Sequence, residues 1–404
     1  MSYAIEESRR CLQCKRPSCR RGCPVGTDIP TMIDCFLSNR IDEAGSMLFD
    51  NNPLFAITSL VCDHMSQCEG SCILQNKARG VHIGNIEHYI SERFLERCRP
   101  DPVARLGKRA AVIGSGPAGL TISVILARRG YDVTVFDARE QIGGVLRYGI
   151  PEFRLPKRIL DRYHRLMLDM GIRIRPNTTI GRSITVDHLF RDGYLAVFIG
   201  TGVWRPSSLD IKGVSLGNVH FAIDYLTSPR FYDLGERVIV IGAGNSAMDV
   251  ARTALRRGAR KVTVYSRSNE IKASASEAEL ARVDGVRFEL GLAPVEILPE
   301  GVIFRKLPPE NEGVVVEGIG KECLQPADSV IIAIGQGPKS TIVKTSKGIE
   351  TDKLGLVVTG ESSETTRQGV FASGDVVSGA RTVVEAVQIS KGVADAMDKY
   401  MQGC

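Results

Sequence analysis

The chain has 404 residues, of which 43% are hydrophobic, 24% charged and 6% aromatic, and its net charge is +6. This length exceeds one ordinary domain and predicts two or three, in a packed globular protein rather than a disordered one. The modest charge and scarce aromatics argue against nucleic-acid binding, and no apolar run approaches the ~20 residues that span a bilayer. The opening MSYAIEESRR lacks the apolar core of a secretory signal. A cytoplasmic location is therefore expected, in which eleven cysteines would bind metal or serve redox chemistry rather than form disulfides.

The first hundred residues carry seven cysteines in two blocks, Cys11-x2-Cys14-x4-Cys19-x3-Cys23-Pro24 and Cys62-x5-Cys68-x3-Cys72. Between the blocks, the stretch Ile29 to Phe49 has helical periodicity. Arg9, Arg10, Lys15, Arg16, Arg20 and Arg21 face only Glu6 and Glu7. They either offset the negative charge of a thiolate-bound cluster or form a solvated face. Arg99-Pro100-Asp101-Pro102 reads as a linker, closing a helical domain over residues 1–102.

A strand, Ala110–Ile113, leads into GSGPAG and an apolar helix to Arg129; Gly130 ends the helix and Val133–Phe136 makes the next strand. The same grammar returns with the strand Arg237–Ile241, the turn GAGNSA, a helix over MDVARTALRRG and the strand KVTVYSR. Two βαβ units predict parallel sheets. The apolar runs Leu195–Ile199, Ser329–Ile334 (ending at Gly335) and Gly369–Ser373 (ending at Gly374) supply further strands. The economical arrangement is an α/β Rossmann-like pair with the second domain inserted in the first. Its segments are 103–230, 231–326 and 327–404, the last returning to complete the first domain.

In the first turn, Gly114 makes the bend, Gly116 admits a pyrophosphate, Gly119 packs helix on sheet, and Pro117 and Ala118 open the helix. Helix N–H groups then face the phosphates, and Asp137, at the end of the second strand, can bond ribose hydroxyls. In the second turn, Gly242, Gly244, Asn245, Ser246 and Ala247 repeat the pattern, alanine being permitted at the third position. Ser266-Arg267 stands where an acid would select the unphosphorylated ribose. Arginine there can pair with a 2′-phosphate, which favours NADPH; an Arg267 that merely stacks on adenine would let NADH serve equally.

Paired cysteines also suit zinc. Iron–sulfur is favoured because Cys23-Pro24 echoes the bacterial ferredoxin ending, because the blocks are unequally spaced, and because dinucleotide domains adjoin them. Thiolate clusters ahead of two dinucleotide folds imply an electron-transfer flavoprotein. Cys35, Cys98, Cys323 and Cys404 read as unpaired thiols, and the scattered histidines as structural.

Over nearly its whole length the chain resembles the small subunit of glutamate synthase. It is also similar to the FAD/NADP subunit of electron-bifurcating transhydrogenases and to the N-terminal half of dihydropyrimidine dehydrogenase. The likeness is carried by the cysteine blocks, AVIGSGPAGL, IGGVLRYGIPEFRLP, VIGAGNSAMDVART, AIGQGP and GVFASGDV. It implies that the first loop binds FAD and the second NAD(P)H, that Gly143 and Gly144 lie near the flavin, and that Asp375 contacts FAD. The helix beginning near Thr382 would aim its positive end at the flavin ring, and Leu146 to Pro156, Arg147 included, would line the flavin and nicotinamide pocket. By the same likeness Cys11, Cys14, Cys19 and Cys72 hold one [4Fe-4S] cluster. Cys23, Cys62, Cys68 and Glu87 hold a second, on which a hard carboxylate would shift the potential; otherwise Glu87 is a helix-surface acid.

The implied activity is electron transfer between NADPH, FAD, the two clusters and a partner subunit that carries the terminal acceptor, with no separate catalytic residue. An NADH-dependent dihydropyrimidine dehydrogenase-type subunit is the alternative. A flavin disulfide reductase is disfavoured because Gly235 to Pro326 contains only Cys323, and a scaffold with inert clusters is also disfavoured. The chain departs from the resemblance in having a single arginine after the second strand and Ile271-Lys272-Ala273-Ser274-Ala275-Ser276-Glu277 where relatives carry an arginine-bearing Met-Pro stretch. Cys11 lies almost at the start, so another subunit is expected to cover the first cluster.

Overall fold

The computed structural model describes residues 2–100, 102–308 and 319–404. Asp101 of the expected linker lies outside these. The chain forms two compact units, one made of residues 1–147, 152–203 and 337–404, the other of residues 148–151 and 204–336.

The first unit begins with helices. Ile29–Leu37 and Ile41–Asn51 are separate, correcting the single periodic stretch expected there. Asn39 adopts φ 58° and the Arg40 N–H bonds the Cys35 carbonyl at 2.8 Å, a left-handed stop that asparagine tolerates. Phe55–Val61 and Ile83–Arg97 complete the bundle. Met32, Ile33, Leu48, Phe55, Ile86 and Ile90 are fully buried between them, and the rings of Phe49, Phe55 and Phe94 pack edge-on or tilted.

Behind these helices lies a five-stranded parallel sheet in the order Val370–Ala372, Tyr194–Ile199, Arg109–Ile113, Asp132–Phe136, Arg173–Arg175. The C-terminal strand thus returns to the first sheet. The helix Val383–Gln402 packs on the crossover helix Pro117–Arg128, held by Arg129 to Asp398 at 3.0 Å and by Tyr131 Oη to the same carboxylate at 2.5 Å.

The second unit is a parallel sheet in the order Val219–Phe221, Ser329–Ile332, Arg237–Ile241, Lys261–Ser266, Arg287–Leu290. Two expected boundaries therefore move. Val219–Phe221 and Ser329–Ile332 pair within this sheet, so the divisions at 231 and 327 shift to 204 and 337. Short apolar strands look alike in sequence, and only pairing decides which sheet receives them. Alternation buries both faces. Val238 and Val240 meet the helix Asn245–Arg256, while Ile239 and Ile241 meet an antiparallel sheet of Leu292–Leu298, Gly301–Lys306 and Glu322–Pro326. Tyr265 stacks on Phe304 there at 4.1 Å.

Arg252 holds the helical side of this unit. It is 5% exposed and bonds Glu277 at 2.9 Å and Asp284 at 2.8 Å. Removing one partner of a buried pair leaves the others desolvated. Arg252→Leu should cost about 3 kcal/mol, read as a lower urea midpoint at unchanged slope.

Candidate functional site

The first glycine loop is shaped by close backbone approach. Gly114 has φ 98° and a Cβ there would meet the Gly200 carbonyl at 2.5 Å. At Gly119 a Cβ would stand 1.9 Å from the Gly114 carbonyl, so only glycine fits. Gly116 is different, since nothing lies within 4 Å of a Cβ built on it. Gly116 is also the N-cap of Pro117–Arg128, and no side chain caps that helix start. Open space beside unclaimed helix N–H groups fits a pyrophosphate.

Two distant segments meet this loop. Gly143 donates its N–H to the Ser115 carbonyl at 3.0 Å, and a Cβ on Gly144 would touch Gly116 Cα at 2.8 Å. A Cβ on Gly374 would meet Ala118 Cβ at 3.1 Å. Asp375 follows; burial raises its carboxyl to about 6, and it accepts the Arg381 N–H at 3.1 Å. Thr382 then caps Val383–Gln402 reciprocally with Glu385: its hydroxyl donates to the carboxylate at 2.6 Å, and the Glu385 N–H returns at 3.4 Å. Glu385 therefore claims part of the positive helix end expected to face the flavin ring.

Two expected ligand contacts have other partners here. Asp137 accepts the Ser115 N–H at 2.7 Å and hydroxyl at 2.5 Å, and the Arg139 N–H at 2.8 Å. It braces the loop, with both oxygens engaged. Arg147 donates to the Ile142 carbonyl at 2.9 Å and to Asp161 at 2.5 Å, so its guanidinium ties this segment to the helix Lys157–Asp169. The stretch Leu146 to Pro156 is itself divided, since residues 148–151 group with the second unit.

The second loop repeats the first. Gly242 has φ 118° and its Cβ would meet the Ala333 carbonyl at 2.4 Å, while Gly244 faces open space. Ala247 is fully buried, showing that this loop has room where Gly119 has none. Asn245 accepts the Ser274 N–H at 2.9 Å and Ala273 bonds the Ala243 carbonyl at 2.9 Å, tying the Ile271–Ser276 stretch across the loop. Ser246 lies in the first turn of this helix, and Ser266 is buried against Ser268. Arg267 is exposed and forms no ion pair among the described residues. Gly335 follows the strand Ser329–Ile332, its carbonyl accepting the Ser207 N–H at 3.0 Å.

The cysteines gather into two groups. Cys11, Cys14, Cys19 and Cys72 line one small cavity walled by Ile29, Ile33, Val81 and Ile83. Burial pushes the Cys19 thiol up to about 11, with Cys72, Cys11 and Cys14 adding to it, and burial likewise raises Cys11. Four thiols around one apolar space are the donor set of a metal cluster. Among the described residues no three His, Cys, Asp or Glu side chains converge on a single ion. The sulfurs surround a space rather than a point.

Burial also raises Cys62 and Cys68, with Glu87 and then Cys23 next in influence on each. Burial pushes Glu87 up to about 8. Sequence reasoning missed the groups that hold these segments. Glu69 accepts the Gly84 N–H at 2.9 Å, fixing the start of the Glu87 helix to the second cysteine block. Glu7 accepts the His82 N–H at 3.1 Å and binds Arg10 at 2.8 Å as well as Arg79. Arg10 thus has a structural duty and Arg20 pairs with Asp28 at 3.2 Å, whereas Arg9, Lys15 and Arg16 are exposed. A buried glutamate with no periodic partner leaves no local signal.

Two phosphate-binding loops on parallel sheets, preceded by two thiol groups, define a dinucleotide-dependent oxidoreductase with an iron–sulfur region. Residues 108–390 match the family model for pyridine nucleotide-disulphide oxidoreductase, and residues 1–98 match dihydropyrimidine dehydrogenase domain II, 4Fe-4S cluster. The chain is 34% identical to the glutamate synthase [NADPH] small chain of Escherichia coli K12, over 99% of this chain and 92% of that one. It is 31% identical to the NAD-dependent dihydropyrimidine dehydrogenase subunit PreT of the same strain, over 99% and 95%. Thioredoxin reductase of T. acidophilum shares the fold at TM-score 0.58 and 21% identity, over 73% of this chain and 98% of that one. The chain belongs to the glutamate synthase small-chain family of pyridine nucleotide-disulphide oxidoreductases. It is an oxidoreductase whose cofactors are FAD, a nicotinamide nucleotide and 4Fe-4S iron–sulfur. No helix among the described residues is long and apolar enough to cross a membrane.

Proposed function

We propose that this chain is the electron-transfer subunit of a larger oxidoreductase, moving electrons between NADPH, FAD, two [4Fe-4S] clusters and a partner subunit of glutamate synthase or transhydrogenase type. The observation that carries this is the presence in one chain of two glycine loops and two separate thiol groups. In this reading, Gly114–Gly119, Gly143, Gly144, Gly374 and Asp375 hold FAD. Gly242–Ala247 with Arg267 holds the nicotinamide nucleotide. Cys11, Cys14, Cys19 and Cys72 hold one cluster; Cys23, Cys62, Cys68 and Glu87 hold the other. A bound flavin accepts two electrons together and releases them singly, the exchange a hydride donor and a one-electron wire require.

The chain's own residues bind and orient. The open faces of Gly116 and Gly244 admit phosphates, and the Ser115–Asp137 and Asn245–Ser274 bonds keep both loops rigid. Stopped-flow mixing with NADPH under anaerobic conditions tests the reading. Loss of both flavin and cluster absorbance is expected, whereas clusters that stay oxidised would favour a scaffold role.

Arg267, exposed and without an ion pair among the described residues, supports NADPH. Arg267→Ala should raise KM for NADPH about tenfold, near 1.4 kcal/mol, with little change for NADH. Equal effects on the two nucleotides would support the NAD-dependent reading that the name of the PreT relative brings.

A further inference from the structure

A line of polar contacts joins the second thiol group to Val383–Gln402, the helix that packs on the one starting at the FAD loop. Lys391, in Val383–Gln402, donates from Nζ to Asn51 Oδ1 at 2.8 Å. Asn51, the last residue of Ile41–Asn51, donates from Nδ2 to Thr27 Oγ1 at 3.2 Å. Thr27 is 4% exposed, and its Oγ1 stands 3.5 Å from Cys23 Sγ.

The direction of every link is set by chemistry. An ammonium has no acceptor, so Asn51 must offer it the carbonyl oxygen and turn its NH2 to Thr27. The threonine oxygen accepts that N–H and keeps one O–H to give. A thiolate at Cys23 has no proton, so the hydroxyl must donate to sulfur. Donors therefore run one way, from a cation to the sulfur. Lys391 also lies near enough to interact with the sulfur through space: burial lowers its pKa, while the charges of Cys23 and then Asp395 raise it.

We propose that Lys391, acting through Asn51 and Thr27, stabilises the reduced form of the iron–sulfur centre ligated by Cys23 and so raises its reduction potential. Lys391 is a positioning residue: its ammonium bonds Asn51 and acts on the sulfur through it. The inference rests on the reading that Cys23 ligates the second cluster. Reduction of that centre adds one electron, supplied from NAD(P)H by way of bound FAD. No bond forms or breaks, and the ammonium, amide and hydroxyl keep their protons. The added negative charge gains from a cation and a hydrogen bond at its ligand sulfur.

The test is an anaerobic redox titration of the holoprotein followed by EPR, with iron and sulfide counted in every variant. The signal of the second centre is the one changed by Glu87→Cys. Lys391→Met and Thr27→Val should each shift its reduced-to-oxidised ratio about tenfold toward oxidised, which is about 59 mV for one electron. Lys391→Arg should stay near the parent value, and the Cys11 centre should not move in any variant. Asn51→Leu, which breaks the middle link, should match Lys391→Met and provides the same reading if that variant does not fold. Full iron with an unmoved second potential would overturn the relay alone, as would equal shifts in both centres. Parent protein with only one centre would overturn the assignment of Cys23, and the relay with it.

Discussion

Gly116→Val is expected to yield a folded protein that no longer retains FAD. Gly116 has φ −70° and ψ −174°, a conformation open to any residue, so valine brings no backbone strain. Nothing of the protein lies within 4 Å of the new Cβ. The new side chain starts at the uncapped start of Pro117–Arg128, where the pyrophosphate is proposed to lie. Affinity for FAD should fall about a hundredfold, about 2.7 kcal/mol. Flavin absorbance per chain would be lost while circular dichroism and the iron count persist. Gly119→Ala provides the contrast, because its Cβ would stand 1.9 Å from the Gly114 carbonyl and damage the fold itself. A valine variant with full flavin would remove this loop from the FAD site.

Glu87→Ala is the second. Burial pushes this carboxyl up to about 8, so near neutral pH it would be mostly protonated unless a cation stood beside it. Its charge acts on Cys62 and Cys68, and in the proposed ligand set alanine would leave three thiolates without a fourth ligand. Flavin content should be unchanged while iron per chain falls by roughly half, one cluster of two. Glu87→Cys should restore iron with an altered EPR spectrum, because soft sulfur replaces hard oxygen. An iron count and spectrum unchanged in Glu87→Ala would return Glu87 to the role of an ordinary buried acid.

Much of the fold was legible because its signals are local. The strand Arg237–Ile241 has the bounds read from sequence, and the helix Pro117–Arg128 ends one residue before the expected Arg129. Where the reading slipped, the choice was between equivalent partners. Ser329–Ile332 reads as a short apolar strand and Val219–Phe221 escaped the sequence reading; their places in the second sheet come from pairing with Arg237–Ile241 and with each other. The helix break at Asn39 was hidden because its flanks keep helical periodicity on both sides. Asp137 and Arg147 were read as ligand contacts because their positions suit that role. Their hydrogen bonds to Ser115 and Asp161 depend on where other segments lie.

By itself the sequence determined the two phosphate-binding turns and the thiol spacings, since a glycine-dependent bend or a Cys-x2-Cys step is settled within a few residues. Spacing alone did not decide which distant groups meet: Cys72 with Cys11, Cys14 and Cys19, and Gly144 with the first loop, were implied only by the family likeness, and Gly374 with Ala118 and Lys391 with Asn51, Thr27 and Cys23 came from the tertiary structure. Those contacts depend on the packing of whole helices and strands. Burial, which sets how costly each charge is, has no value until that packing exists.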